Sequence, residues 1–533
     1  MKSLLTTLIL SLLFGLLTNK ATSQSNQSFP EEYNSLYEYE VVTDSVPSNL
    51  EIFLAGQVGA NEIKFNNIQQ TLNGFFEKLR EEEVHELSAV KKIKAIHKAI
   101  HATFLTKYEA ISDFNRIFEL GEYNCLSATA LLAFTLEEFG IPYNIQELPT
   151  HVYIIAYPST KGITVEMTAP KEGYYVPGRR DISKAVDILR EYKLVDASEI
   201  KEKGDRAIYN EYYYKDQTIN LRELAGLQYF NQTIIEYEES AYEKALNSIS
   251  KSEYLYPSDK TILFKVEVLS VLLDDAKFNN MKSVRYMKEY ANLTEVDHNK
   301  IIYEYARALQ VELIDHGKRK FIDSSYHYLS TNLKDSILRE KISEIYFVGM
   351  AEYYSNAYNL KKQLEYIEKA HEINPENVTT QLHLTRSIMR VLHDKYEPEE
   401  LVVQMDSFAN KYPFLKNHNF YKMFYFYSYA EISNAYYIDN DEDNGHLYFE
   451  RALEMRSSME DEEVLDQDFI GMLYAEKATY YYRLKKYEKA IEIYDEGLEY
   501  APEHRLIVMR RKNVVNKLNA SKDNGSSGLY ILD

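Results

Sequence analysis

Between about residues 206 and 517 the chain repeats one spacing of large and small side chains, and few folds other than paired antiparallel helices accommodate it. The clearest copy puts Tyr474, Ala478 and Tyr481 on one helix and Ala490, Tyr494 and Gly497 on the next, with Pro502 closing the second. A small residue in the first helix, followed twelve positions later by a small residue in the second, lets two helix axes approach closely. The aromatics fill the space beside the contact. The same frame recurs at Phe347, Ala351, Tyr354, Ile367, Ala370 and Pro375. It recurs without the proline at Tyr429, Ser433, Tyr436, Gly445, Phe449 and Ala452, and half of it is present at Ala245, Ile249 and Pro257. The stretches between, about 260–340 and 376–428, are amphipathic and read as degenerate hairpins.

The run from Tyr474 to Pro502 resembles the tetratricopeptide repeat (TPR). The resemblance implies an all-α TPR-type helical-hairpin solenoid over 206–517, without catalytic apparatus of its own, that binds a protein or peptide partner. The 48 tyrosines are then mostly packing residues of the hairpins. From 518 to 533 the composition changes to Asn, Ser, Lys, Asp and Gly, which reads as a flexible polar tail.

Lys and Arg total 61 against 82 Asp and Glu, a net charge of −21. Nucleic acid is excluded as a general partner, because phosphate binding needs concentrated basic surface. The amino terminus reads as a signal peptide over 1–23: Lys2, an apolar core from Leu4 to Leu17, and Ala21-Thr22-Ser23 before Gln24. The core is too short to favour a membrane span, and no cysteine lies near the cleavage site to carry a lipid. The expectation is an exported protein, periplasmic or secreted, with no membrane span after cleavage.

Residues 31–205 differ in texture, mixing helices with short β segments and holding most of the Gly and Pro punctuation. Here lies Cys125, the single cysteine of the chain. It follows an Asn cap and opens a largely apolar helix closed by Gly140 and Pro142. The unpaired N–H groups of a first helical turn favour thiolate over thiol. The alternative is a buried, inert thiol. His151 and Glu166 follow on two β-rich runs around a turn. With Tyr157 paired to Gly162, His151 faces Thr168 and Glu166 lies diagonally on the same sheet face. A slip of one residue would separate them.

These residues resemble the transglutaminase-like superfamily, a branch of the papain-like cysteine fold. That family joins a Cys at a helix start, a Gly-Ile-Pro helix end, a His-Ala-Trp strand and a Val-Asp-Pro-Thr strand. The matching runs are Cys125 with Ala128 to Leu132, Glu138 to Pro142, His151-Val-Tyr153 and Val165-Glu-Met-Thr168, within about 90–175. The resemblance implies an α+β papain/transglutaminase-like domain over 31–205. It makes Cys125 the nucleophile, His151 general base and acid, and Glu166 the group that orients the imidazole. The implied chemistry is acyl transfer on peptide or protein amides, to water or to an amine. Three features depart from the pattern: Glu166 replaces the usual Asp, Leu126 stands where an aromatic is common, and the chain has no tryptophan. The competing reading is an interaction scaffold whose thiol domain is inactive.

Two weaker patterns carry less. His97 and His101 are spaced like two metal ligands on a helix, but with no third ligand they read as solvated or half-buried helix histidines. Asp439, Asp441, Asp443 and Glu450 have calcium-loop spacing with the glycine displaced to Gly445, and a polar turn between repeat helices is the favoured reading. No metal or cofactor is expected.

Overall fold

The computed structural model describes residues 32–526 apart from 45–46, 58, 149–150, 172, 177, 192–194, 214–217, 295, 394–396 and 460–466. The signal peptide expected over 1–23 lies outside the described residues. The chain divides into two compact units, one ending at Ala276 and also holding Leu293–Val296, the other containing Lys277–Asn292 and everything from Asp297 onward.

The first unit opens with α1 (Leu36–Thr43), α2 (Asn49–Ala55), α3 (Glu62–Glu81) and α4 (Ala89–Thr103). A short parallel pair, β1 (Lys107–Tyr108) and β2 (Glu122–Tyr123), brackets α5 (Arg116–Leu120). Next comes α6 (Cys125–Glu138), whose residues Leu126 to Ala133 are all buried, so it is a central helix rather than an amphipathic one. Its start is fixed by a reciprocal cap. The Ser127 N–H donates to Asn124 Oδ1 at 2.9 Å, and the Asn124 N–H donates to Ser127 Oγ at 3.0 Å. Gly140, at φ 62°, ends it in the left-handed conformation that suits glycine.

Against α6 lies an antiparallel sheet of β3 (Tyr143–Leu148), β4 (His151–Ala156), β5 (Ile163–Val165), β6 (Tyr174–Tyr175) and β7 (Thr218–Ile219), in the order β6-β5-β4-β3-β7. Ile154 pairs with Val165 and Ala156 with Ile163, the register expected from the sequence. After β6 come α7 (Arg179–Glu191), α8 (Ala197–Lys203) and α9 (Asp205–Tyr213). Beyond β7 lie α10 (Leu221–Glu238), α11 (Tyr242–Leu255) and α12 (Asp259–Asp275).

Texture alone divides the chain at 205/206, but packing does not. Strand β7 pairs with Ile145 and Gln146 of β3, and Leu221, Leu224, Leu227 and Leu255 share one core with Leu131 and Leu136 of α6. The change in texture marks where β-rich sequence gives way to helix, not where burial ends. A buried ion pair ties the same hairpin to α1. Lys251 Nζ is 3.0 Å from Glu38 Oε2, with the two side chains 1% and 0% exposed. The Tyr229 hydroxyl donates to Glu38 Oε1 at 2.7 Å, and the ammonium lies 5.6 Å from the centre of the Tyr229 ring.

The second unit is an array of helical hairpins. It comprises α13 (Met281–Ala291), α14 (His298–Ala308, continued by a π-helical stretch Leu309–Asp315), α15 (Arg319–Asn332), α16 (Ser336–Asn356), α17 (Leu360–Ile373), α18 (Val378–His393), α19 (Pro398–Lys411), α20 (Asn419–Ile438), α21 (Glu442–Ser457), α22 (Gln467–Arg483), α23 (Tyr487–Tyr500) and α24 (Arg505–Ser526). The expected frames fall on α16–α17, α20–α21 and α22–α23, and the half-frame on α11. Ala370, Ala452, Ala478 and Ala490 are fully buried. A Cβ on Gly497 would come within 2.7 Å of Tyr474 Cβ, so the close approach requires glycine. The tips of four hairpins, one in the first unit and three in the second, place a non-glycine residue in the left-handed region: Ser240, Tyr358, Asn440 and Lys485, at φ of 60°, 54°, 64° and 62°. The stretch expected to begin a flexible tail at 518 is still helical, because α24 runs to Ser526 after anchoring Ile507 and Val514 in the core.

Candidate functional site

The sheet brings His151 and Glu166 together. His151 opens β4 and Glu166 follows β5, and in the observed register their side chains meet, with His151 Nε2 2.5 Å from Glu166 Oε2. The second carboxylate oxygen is also held, since Glu166 Oε1 accepts from the Thr168 N–H at 3.1 Å and from Thr168 Oγ1 at 2.7 Å. Behind it the Glu166 N–H donates to Gly173 O at 2.5 Å, and His97 Nε2 lies 3.4 Å from Glu166 O. A Cβ on Gly173 would come within 2.2 Å of Glu166 O and 2.5 Å of His97 Nε2, so this wall admits only glycine. The Tyr153 ring is nearly parallel to the His151 imidazole, 17° between planes with centroids 6.4 Å apart.

Cys125 is the first residue of α6 and is half-buried. Thr129, on the same helix, reaches Val152 O at 3.4 Å, which ties α6 to β4 one residue beyond His151. Among the described residues, no hydrogen bond joins the Cys125 thiol to His151. Burial pushes the thiol pKa up, the N–H groups of Val152, Leu126 and Cys125 itself draw it back, and Glu166 adds to the upward push. The net shift is upward. That direction runs against the thiolate expected at a helix start, because desolvation outweighs the local N–H groups.

His101 is half-buried, one of the two states expected for this pair, whereas His97 is buried more deeply than either. His97 is 2% exposed, the two rings are 4.6 Å apart between centroids, and both His101 ring nitrogens are buried. Their faces pack beside Tyr174 and Tyr123. Burial lowers the pKa of both, and for His101, with His97 as the next cause, to about 4. A folded-state pKa below the unfolded 6.5 means that the neutral pair contributes fully above pH 6.5, and that stability is lost as pH falls from 6.5 towards 4. The melting temperature is expected to drop across that window, and His101→Phe to flatten part of the drop. An unchanged slope in the variant would mean that other groups set the acid limb.

Among the described residues no group of three or more His, Cys, Asp or Glu side chains converges on a point that could hold a metal. The acidic run from Asp439 forms a hairpin tip. Asp441 caps α21 by accepting from the Asn444 N–H at 3.1 Å, and Glu442 accepts the hydroxyls of Tyr480 at 3.0 Å and Tyr481 at 2.5 Å.

Sequence reasoning passed over a second feature. A cavity of about 650 Å³ opens in the hairpin array. It is lined by Ser355 and Asn356 of α16, Gln363 and Ile367 of α17, Arg386 and Arg390 of α18, and Phe420 and Phe424 of α20. The two arginines, four apart on one helix, were the available signal.

No family model matches the chain, and no curated protein is similar to it at a significant level. Among solved structures, the TPR domain of P58(IPK) shares 11% identity at a TM-score of 0.21, covering 64% of this chain and 99% of that one. Yeast Tom70 shares 12% identity at a TM-score of 0.17, covering 63% and 96%. The human IFIT1 dimer with m7Gppp-AAAA shares 13% identity at 0.18, covering 83% and 89%. The hairpin architecture rests on the contacts of the array itself. No match supports the transglutaminase-like resemblance of the first unit. No helix among the described residues is long and apolar enough to cross a membrane.

Proposed function

We propose that the chain is a protein-interaction scaffold, in which the hairpin array of the second unit docks a protein partner and the first unit is a folded domain without catalytic turnover. The observation that carries this reading is the open cavity among α16, α17, α18 and α20. If residues 1–23 act as an export signal, the partner is met outside the cytoplasm. The test is a photo-crosslinking side chain at Asn356, in the cavity, with a control at the exposed Glu365, in the full chain expressed in its native cells. A discrete adduct formed from position 356 and absent from the control supports the scaffold. Identical patterns from both positions would sink it.

A second reading is favoured by one observation, the His151–Glu166 pair with its Thr168 support. In that reading the first unit is a transglutaminase-like thiol domain. Cys125 attacks an amide carbonyl, His151 takes the thiol proton and delivers it to the departing amine, and Glu166 holds the imidazole. The raised Cys125 pKa and the missing thiol–imidazole hydrogen bond weigh against it.

A further inference from the structure

We infer that the cavity between α16, α17, α18 and α20 seats a short acidic peptide segment of a partner protein, an inference that rests on the scaffold reading. The first reason is charge. Arg386 and Arg390 stand one turn apart on α18, both exposed and both lining the cavity. Neither has an ion-pair partner among the described residues, and the Arg390 guanidinium donates only to Ser355 Oγ, at 2.8 Å. Acidic residues outnumber basic ones 82 to 61, and Arg307, Arg319, Arg510 and Arg511 of the array are each paired with a carboxylate, as Arg510 is with Glu476. Two adjacent unpaired guanidiniums in such a chain present a fork suited to a carboxylate from elsewhere.

The second reason is an unmet hydrogen bond. Gln363 is 9% exposed, and its Nε2 donates to Ser387 Oγ at 3.0 Å, while its Oε1 has no partner. A desolvated carbonyl oxygen on a cavity wall calls for an N–H donor, which a peptide backbone supplies. The third is shape and polarity. Phe420, 42% exposed, and Ile367 give the cavity an apolar floor for one side chain beside the carboxylate. A volume of about 650 Å³ admits a short segment rather than a folded surface. Glu352 of α16, exposed, also lines the cavity. A phosphate polymer fits less well than a peptide, since beyond the two arginines it would meet a chain of net charge −21.

The experiment measures binding of the full chain to two labelled nonapeptide libraries that differ only in a central Asp/Glu or Asn/Gln. The acidic library is expected to be retained about tenfold more strongly. The double variant Arg386→Glu, Arg390→Glu should abolish that preference without moving the melting temperature, because both side chains are exposed. Gln363→Met should weaken both libraries alike. Equal retention of the two libraries, a preference that survives the double variant, or stronger retention of an oligothymidylate than of acidic peptide would each overturn the inference. If the Asn356 adduct forms while the libraries bind alike, the scaffold stands and the acidic seat falls; if no adduct forms, the scaffold itself has failed.

Discussion

Lys251→Ala is expected to destabilise the first unit by about 3–5 kcal/mol, because it strands the Glu38 carboxylate in a site sealed from water. The substitution removes the one charge that, among the described residues, neutralises a side chain 0% exposed, and it opens a cavity beneath the rings of Tyr33 and Tyr229. The Tyr229 hydroxyl continues to donate to Glu38 but cannot offset a full charge. Removing both charges together, in Glu38→Leu with Lys251→Met, should recover most of the loss and leave a deficit of about 1–3 kcal/mol for the orphaned Tyr229 hydroxyl. Urea midpoints of the three proteins decide the matter. A loss below about 1 kcal/mol for Lys251→Ala would place the pair in contact with water after all.

The second large effect concerns the thiol. At pH 7 wild-type Cys125 should alkylate slowly, with a midpoint above the 8.5 of a free cysteine and so less than about 3% thiolate. His151→Ala should leave that midpoint unchanged, because no hydrogen bond couples the imidazole to the sulfur in this structure. With one cysteine in the chain, the whole signal reports one side chain. A midpoint well below 8.5 that rises in His151→Ala would reverse the order of the two functional readings and make acyl transfer the first. In that case Thr168→Ala should raise the midpoint too, since it removes the hydroxyl hydrogen bond to the carboxylate that orients the ring and leaves only that of the Thr168 N–H.

The sequence discloses those parts of the structure that depend on local geometry. Ala478 with Ala490, and Ser433 with Gly445, are legible because two helices packed axis to axis leave room for nothing larger; Ser433 Oγ donates to Gly445 O at 2.8 Å across that contact. The His151–Glu166 meeting is legible because the turn from Tyr157 to Gly162 is short enough to set the register, and Gly162 N–H closes it on Tyr157 O at 2.9 Å. What could not be read is burial imposed by distant segments. The partner of Lys251 is 213 residues away. The desolvation of Cys125 and of the His97–His101 pair is made by chain brought in from β1, β2 and the β5–β6 connection, and no periodicity announces it. The stretch from 518 to Ser526 is helical for a related reason: composition describes solvent preference, whereas α24 is propagated by the apolar anchors that precede it, and 527–533 lie outside the described residues.

The four left-handed tips have no residue in common. Glu239-Ser240-Ala241, Ala357-Tyr358-Asn359, Asp439-Asn440-Asp441 and Leu484-Lys485-Lys486 differ at every place, yet each bends the backbone the same way. The tips share a backbone conformation rather than a residue type. Tyr358, 90% exposed at its tip, belongs to a site where substitution costs the fold little and new surface chemistry can accumulate. The hairpins thus divide their labour, with small buried residues such as Ala478 and Ala490 between the helices and unlike exposed residues at the turns.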